Sequence, residues 1–77
     1  MITVTEWKAH EVLRQMAPVP YINAFGHALV ERGVVQSHKA EFGMSNQGAA
    51  LLAGKWLRRL ERVELARKCP VRGWIAL

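Results

Sequence analysis

This chain of 77 residues has few residues that could form covalent or metal cross-links. Its single cysteine, Cys69, cannot form an internal disulfide bond, and no cysteine and histidine residues have zinc-ligand spacing. Because His10, His27 and His38 fall on separate predicted elements, we expect neither a metal ion nor a cofactor. Stability must come from packing, and the 51% of residues that are apolar can supply it for a single small domain covering residues 1–77.

Long apolar runs are also missing. No stretch approaches the ~18 apolar residues that a membrane span needs, and the first residues, MITVTEWKAHE, carry early charges and no signal-peptide core. We therefore expect a cytoplasmic protein with no membrane contact. Acidic residues are scarce as well, and most of the six glutamates lie in solvent-facing helical stretches. Since acid–base catalysis needs paired carboxylates in a cleft, we expect no enzyme.

Positive charge is concentrated in the second part of the chain. Residues 1–43 contain four Lys or Arg residues and four glutamates, whereas residues 44–77 contain seven and two. The whole net charge of +5 therefore lies in the second part. A basic part attached to a neutral part indicates a surface that faces a polyanion.

Helical signals dominate the first half of the chain. Thr3 followed by Glu6 forms a capping-box pattern, which predicts a first helix over residues 4–16 with Ala9, Val12, Leu13 and Met16 on its apolar side. Pro18 and Pro20 end this helix, because proline cannot extend the hydrogen-bond ladder. A second helix is predicted over residues 21–32, where Gly33 follows as a C-terminal cap, and a short third helix over residues 38–42.

The second half predicts a long helix and a hairpin. The helix begins after an N-cap at Ser45 or Asn46 and continues to Val63 or Glu64. The turn signal from Pro70 to Gly73 then separates two short extended segments, residues 65–69 and 73–77. The fold class expected from the whole pattern is mainly α with a small C-terminal β-hairpin.

The long helix, which we call the basic helix, has two contrasting faces. Seven residues lie within an arc of roughly 120° on a helical wheel and form its cationic face: Gln47, Gly48, Leu51, Lys55, Arg58, Arg59 and Arg62. The opposite side is apolar and contains Ala49, Leu52, Ala53, Trp56, Leu57, Leu60 and Val63. We expect the apolar side to be buried and the cationic side to be exposed.

Two motifs around the basic helix carry a family resemblance. The turn before it reads Phe42-Gly43-Met44-Ser45, and its exit reads Leu60-Glu61-Arg62-Val63-Glu64-Leu65-Ala66-Arg67. Residues 36–77 resemble the winged helix-turn-helix domains of small transcription regulators, in which an apolar-Gly-apolar-Ser turn precedes the recognition helix and a hairpin wing follows it. Glu64 stands where that family usually has glycine.

The resemblance implies a regulator of transcription that binds specific sequences of double-stranded DNA. The leading turns of the basic helix would contact base edges, through Asn46, Gln47, Gly48 and Leu51. Phosphate contacts would come from the rest of the helix and from the wing: Ser45, Lys55, Arg58, Arg59, Arg62, Arg67, Lys68 and Arg72. A homodimer, or a complex with a protein partner, is expected because one small module makes few contacts, and the first helix with Trp7 is the candidate contact surface.

Three other interpretations of the basic face stay open. The cations can form a solvated face that keeps a small protein soluble. The same fold can serve as a protein-interaction module or inhibitor that binds an acidic protein partner. RNA binding would need exposed aromatic residues that stack on bases, whereas Trp56 lies on the apolar side of the basic helix.

Overall fold

The computed structural model describes residues 2–36 and 44–77, and within these ranges the chain has three helices followed by a two-stranded antiparallel hairpin. The expectation of a mainly helical protein with a C-terminal hairpin is confirmed. The short helix predicted over residues 38–42, together with the Phe42-Gly43 part of the turn motif, lies outside the described residues. Among those that are described, no helix combines the length and the apolar character that a membrane crossing requires.

Helix α1, Val4–Met16, begins with the predicted capping box. The Thr3 hydroxyl accepts a hydrogen bond from the Glu6 N–H at 3.1 Å, and the Glu6 carboxylate accepts one from the Thr3 N–H at 3.1 Å. This exchange satisfies two of the donors that a helix start leaves unpaired. The helix buries Ala9, Val12 and Leu13, as its apolar pattern predicts.

Helix α2, Ile22–Glu31, follows the two prolines and has Tyr21 and Arg32 as its flanking residues. Gly33 has a φ of +71°, so the residue after the helix adopts the left-handed conformation that its glycine predicts. Phe25 and Leu29 point into the core and are fully buried.

Helix α3, Asn46–Arg62, is the basic helix. Of the two N-cap candidates Ser45 has this role, and its hydroxyl accepts a hydrogen bond from the Gly48 N–H at 3.0 Å. The predicted apolar side is confirmed, since five of its residues are buried: Ala49, Ala53, Trp56, Leu57 and Leu60. The helix ends at Arg62, slightly before the predicted boundary.

Strands β1, Ala66–Cys69, and β2, Gly73–Ala76, form the hairpin. Their register pairs Ala66 with Ala76 and Lys68 with Trp74, and Trp74 packs against the helical core. The chain between α1 and α2 also joins this sheet through a single pair of residues. Val19 N–H donates to the Trp74 carbonyl at 2.8 Å, and Trp74 N–H donates to the Val19 carbonyl at 2.9 Å.

The core lies where all five elements meet, and its largest fully buried side chains are Leu13, Phe25, Leu29, Leu57 and Leu60. Helix α2 packs closely on the first part of α3. Gly26 makes this contact, because a Cβ atom at that position would overlap the main chain of Ala49. The packing fixes one side of α3 against the protein and leaves its opposite side in solvent.

Candidate nucleic-acid interface

The solvent side of α3 is the most extended cationic surface of the helices. We call it the outer face of α3 and define it by Gln47, Ala50, Leu51, Gly54, Lys55, Arg58 and Arg62. Leu51 is 73% exposed, and the side chains of Lys55, Arg58 and Arg62 are also exposed, whereas Trp56 on the opposite side is only 7% exposed. The predicted separation of a buried apolar side from an exposed cationic side is therefore confirmed for these residues. Gly48 and Arg59 of the predicted cationic face are half-buried, and Leu52 and Val63 of the predicted apolar side are only partly buried.

Charge is distributed unevenly along this face. The first part of the helix, residues 46–54, contains no ionisable side chain, whereas residues 55–62 contain four cations and one glutamate. A helix of 17 residues spans about 25 Å, so the neutral and cationic parts are each roughly two turns long. A helix of this kind can contact bases through its neutral end and phosphates through its cationic end.

An open groove with a volume of about 770 Å³ follows the outer face, and Ile22 from α2 and Arg59 from α3 also line it. Gly54 lies in this groove, and the position of its missing Cβ atom has no other heavy atom within 4 Å. Ala50 lies one turn earlier and has only a methyl side chain. The middle of the outer face is therefore a depression between longer side chains. A ligand can therefore approach the helix backbone closely at this point.

The four residues predicted to contact bases occupy different places. Gln47 and Leu51 lie on the outer face and line the groove. Asn46 Oδ1 lies 3.0 Å from His27 Nε2, which fits a hydrogen bond donated by the ring nitrogen and ties the start of α3 to α2. Gly48 is half-buried, and a Cβ atom there would lie 3.3 Å from the Ser45 hydroxyl.

Arg59 differs from the other cations of α3. Its guanidinium carbon lies 4.3 Å from the centre of the Trp56 ring, a geometry typical of a cation–π contact, and the residue is half-buried. Its charge also acts on the first turn of α1. The pKa of Glu6 lies below its ordinary value mainly because its carboxylate accepts hydrogen bonds from the Thr3 N–H and hydroxyl, and the positive charge of Arg59 lowers it further. Arg59 therefore has structural partners that the exposed cations lack.

The three predicted wing cations are all exposed but do not share one surface. Arg67 and Lys68 are neighbours in β1 and so point to opposite faces of the hairpin. Lys68 pairs with Trp74 and shares the core-facing side, which leaves Arg67 on the other side. Arg72 lies in the turn beside Val71, whose side chain is 91% exposed. None of these three cations lines the α3 groove.

No ion pair among the described residues compensates the charge of the outer face of α3. Within residues 2–36 and 44–77, the only ion pair joins Arg14 to Glu11 on α1, at 3.2 Å. The predicted phosphate-contacting residues Lys55, Arg58 and Arg62 therefore have no carboxylate at salt-bridge distance among these residues. Clustered cations without partners raise the local concentration of anionic ligands.

Cys69 lies at the end of β1, next to the hairpin turn. The pKa of its thiol is lowered mainly by the backbone N–H groups of Arg72 and Val71, and the nearby charges of Arg72 and Arg67 act in the same direction. In the described part of the chain, histidine, cysteine and glutamate side chains do not come together in groups of three that could hold a metal ion.

Sequence reasoning missed Ile22, Ala50 and Gly54 as parts of this surface. Ile22 belongs to an apolar pattern that indicates core, and a glycine such as Gly54 lowers the helix propensity of its segment. One sequence feature could have identified this part of the surface. Ala50 and Gly54 are four residues apart on the polar side of an amphipathic helix, where long side chains are usual.

Comparisons of this chain with models of protein families, with curated protein sequences and with solved structures found no match.

Proposed function

We propose that this protein binds double-stranded DNA through the outer face of α3 and regulates transcription. In this proposal the chain is a winged helix-turn-helix domain, with α3 as the recognition helix and the hairpin of β1 and β2 as the wing. Three helices followed by an antiparallel hairpin, with α2 packed on the first part of α3, support that architecture.

The observation that carries the proposal is the exposed cationic side of α3. Its cations have no carboxylate partner among the described residues, and the opposite side of the helix anchors it in the core. The major groove of DNA is about 12 Å wide and admits one α-helix. A helix that is held along one side and exposed along the other meets this geometric requirement.

The residues have separate roles in this proposal. Gln47 and Leu51 face base edges from the neutral part of the helix, while Lys55, Arg58 and Arg62 contact phosphates. Arg67 and Arg72 extend the contact from the wing to the neighbouring backbone. Asn46 and Ser45 chiefly set the position of the helix, because their side chains already bond to His27 and to the Gly48 N–H.

A second candidate function is the binding of an acidic protein segment. The specific observation that favours it is the apolar lining of the groove, where Ile22, Ala50 and Leu51 lie next to cations. An amphipathic helix with acidic residues beside its apolar side would complement such a surface. Binding of this kind would not depend on DNA.

The salt dependence of duplex binding tests the proposal. About four to six phosphate contacts predict a slope of log affinity against log salt between about −4 and −5. The double variant Arg58→Ala/Arg62→Ala should flatten this slope by about two, since each phosphate contact contributes about −0.9. Fluorescence anisotropy with a labelled duplex, from about 50 to about 200 mM salt, measures the slope.

The matched control removes the same charge from another helix. Lys8→Ala/Arg14→Ala lowers the net charge equally, and both residues are exposed on α1. It should change the slope much less than the α3 variant. Absence of duplex binding by the parent protein at low salt, or equal slopes for the two double variants, would contradict DNA binding through α3.

A homodimer is part of the proposal, because paired half-sites supply the contacts that one small module lacks. Trp7 on α1 is 50% exposed and offers a contact surface, with its ring set edge-on to His10. Light scattering of the protein with and without duplex gives the stoichiometry. Two protein chains for each duplex are expected.

A further inference from the structure

The neutral part of the outer face of α3 is mostly apolar. Of its four residues Gln47, Ala50, Leu51 and Gly54, only Gln47 carries a polar side chain. Leu51 is the most prominent, at 73% exposure, and the open position of Gly54 lies less than one turn further along the helix. An exposed leucine beside helix backbone that no side chain covers is suited to contact with a small apolar group.

The major groove of DNA offers one such group. Base edges there present hydrogen-bond donors and acceptors, and the only apolar feature is the C5-methyl group of thymine. The nearest cations, Lys55 and Arg58, lie about one and two turns beyond Leu51 and are long enough to reach phosphates while the strip faces the bases. The position of Asn46 strengthens this assignment, because Asn46 does not line the groove and its Oδ1 lies 3.0 Å from His27 Nε2, so its amide does not add a polar group to the strip.

We infer that the outer face of α3 recognises thymine methyl groups in the major groove, with Leu51 as the contacting side chain. The inference depends on the proposed function and names its ligand class, which is duplex DNA with thymine at the contacted positions. Gly54 lets the helix backbone come close enough for Leu51 to reach a methyl group. Gln47 then bonds to the edge of a neighbouring base.

Methyl groups can be removed from or added to DNA without changing the hydrogen-bonding edges. Four duplexes of about 24 base pairs, roughly two helical turns, provide the test. Alternating A·T is compared with the same duplex containing deoxyuridine, which lacks the methyl group. Alternating G·C is compared with the same duplex containing 5-methylcytosine, which carries a methyl group at the equivalent ring position.

The expected changes have opposite signs in the two pairs. Burial of one methyl group corresponds to about a fourfold change in affinity. Deoxyuridine should therefore weaken binding about fourfold for each contacted thymine, and 5-methylcytosine should strengthen it. Leu51→Ala should bring the affinity ratio close to one in both pairs and leave the fold intact, because the side chain is exposed.

Val4→Ala is the matched control, since it also shortens an exposed apolar side chain but lies on α1 outside the groove. It should keep both ratios of the parent. Salt-dependent binding with equal affinity for the methylated and unmethylated duplexes would overturn the methyl inference and leave DNA binding in place. The same holds if Leu51→Ala retains the ratios of the parent. Failure to bind any of the four duplexes at low salt would overturn both proposals.

Discussion

Gly26 of α2 lies against the main chain of Ala49 in α3, so closely that a Cβ atom on Gly26 would overlap the Ala49 carbonyl oxygen and lie 2.9 Å from its Cα. The two helices therefore meet backbone to backbone at this point. Their contact positions the start of α3 and, through it, the outer face. Gly54 on the outer face is the opposite case, because a Cβ atom there would meet no other heavy atom within 4 Å.

Two glycine substitutions should consequently have opposite effects on stability. Gly26→Ala should lower the free energy of unfolding by about 2 to 3 kcal/mol, since α2 and α3 must move apart. Gly54→Ala should raise it by up to about 1 kcal/mol, because alanine is the better helix former and has room. Urea denaturation of both variants measures these changes. A loss of stability in Gly54→Ala, or none in Gly26→Ala, would contradict this packing of α2 on α3.

Glu64 adopts a backbone conformation that favours glycine. Its φ is +63°, in the left-handed region, directly after the Val63 cap of α3. Glycine adopts this backbone geometry without a steric cost, whereas the residue here is glutamate. Glu64→Gly should therefore raise the free energy of unfolding by about 0.5 to 1 kcal/mol, since it relieves the contact of Cβ with the carbonyl group.

Glu61→Gly is the control for the loss of charge, because it removes the same carboxylate from within the helix. It should lower stability by up to about 1 kcal/mol. Thermal or urea unfolding of the two variants gives the comparison. If Glu64→Gly is the less stable of the two, the left-handed geometry at position 64 is wrong.

Local signals predicted most of the fold. The capping box of Thr3 and Glu6, the two prolines after α1 and the turn from Pro70 to Gly73 each act within a few residues of their own positions. The helical spacing of apolar residues in α3 then distinguishes its buried side from its exposed side. These features are encoded in neighbouring residues, so they can be seen without knowledge of the fold.

Features that depend on distant residues could not be predicted in this way. The pairing of Val19 with Trp74 involves one residue of a connection and leaves no periodic pattern. The bond between His27 and Asn46 joins residues 19 positions apart, so the polar amide of Asn46 still looked free to contact a base. Arg59 has the same sequence signature as Arg58, and only its contact with Trp56 and the effect of its charge on Glu6 distinguish it.

The capping box of α1 should make stability depend on pH. The folded pKa of Glu6 is lowered by its hydrogen bonds from Thr3, so its contribution is fully present above the ordinary value of 4.5 and is lost as the pH falls through the folded value. Glu6→Gln can still cap the helix but cannot titrate. Its free energy of unfolding should change less than that of the parent as the pH is lowered below 4.5.

A second variant tests the partner of Glu6 directly. Thr3→Ala removes the N-cap hydroxyl and should cost about 1 kcal/mol at neutral pH. Its pH dependence below 4.5 should also be weaker than that of the parent, because the hydroxyl helps to lower the pKa of Glu6. Parallel pH profiles for the parent and both variants would show that the capping box does not produce the dependence.

Arg58 and Arg59 are neighbours with the same side chain, yet they should respond differently to substitution. Arg58 is exposed on the outer face, so Arg58→Ala should reduce the slope of log affinity against log salt by about 0.9 and change stability by less than about 0.5 kcal/mol. Arg59 contacts the Trp56 ring and lowers the pKa of Glu6 through its charge. Arg59→Ala should therefore cost about 1 kcal/mol of stability and change the salt slope less.

Urea unfolding and duplex titrations of both variants test this division. If Arg59→Ala flattens the slope as much as Arg58→Ala and leaves stability unchanged, the cation–π contact contributes nothing and Arg59 belongs with the phosphate-contacting residues.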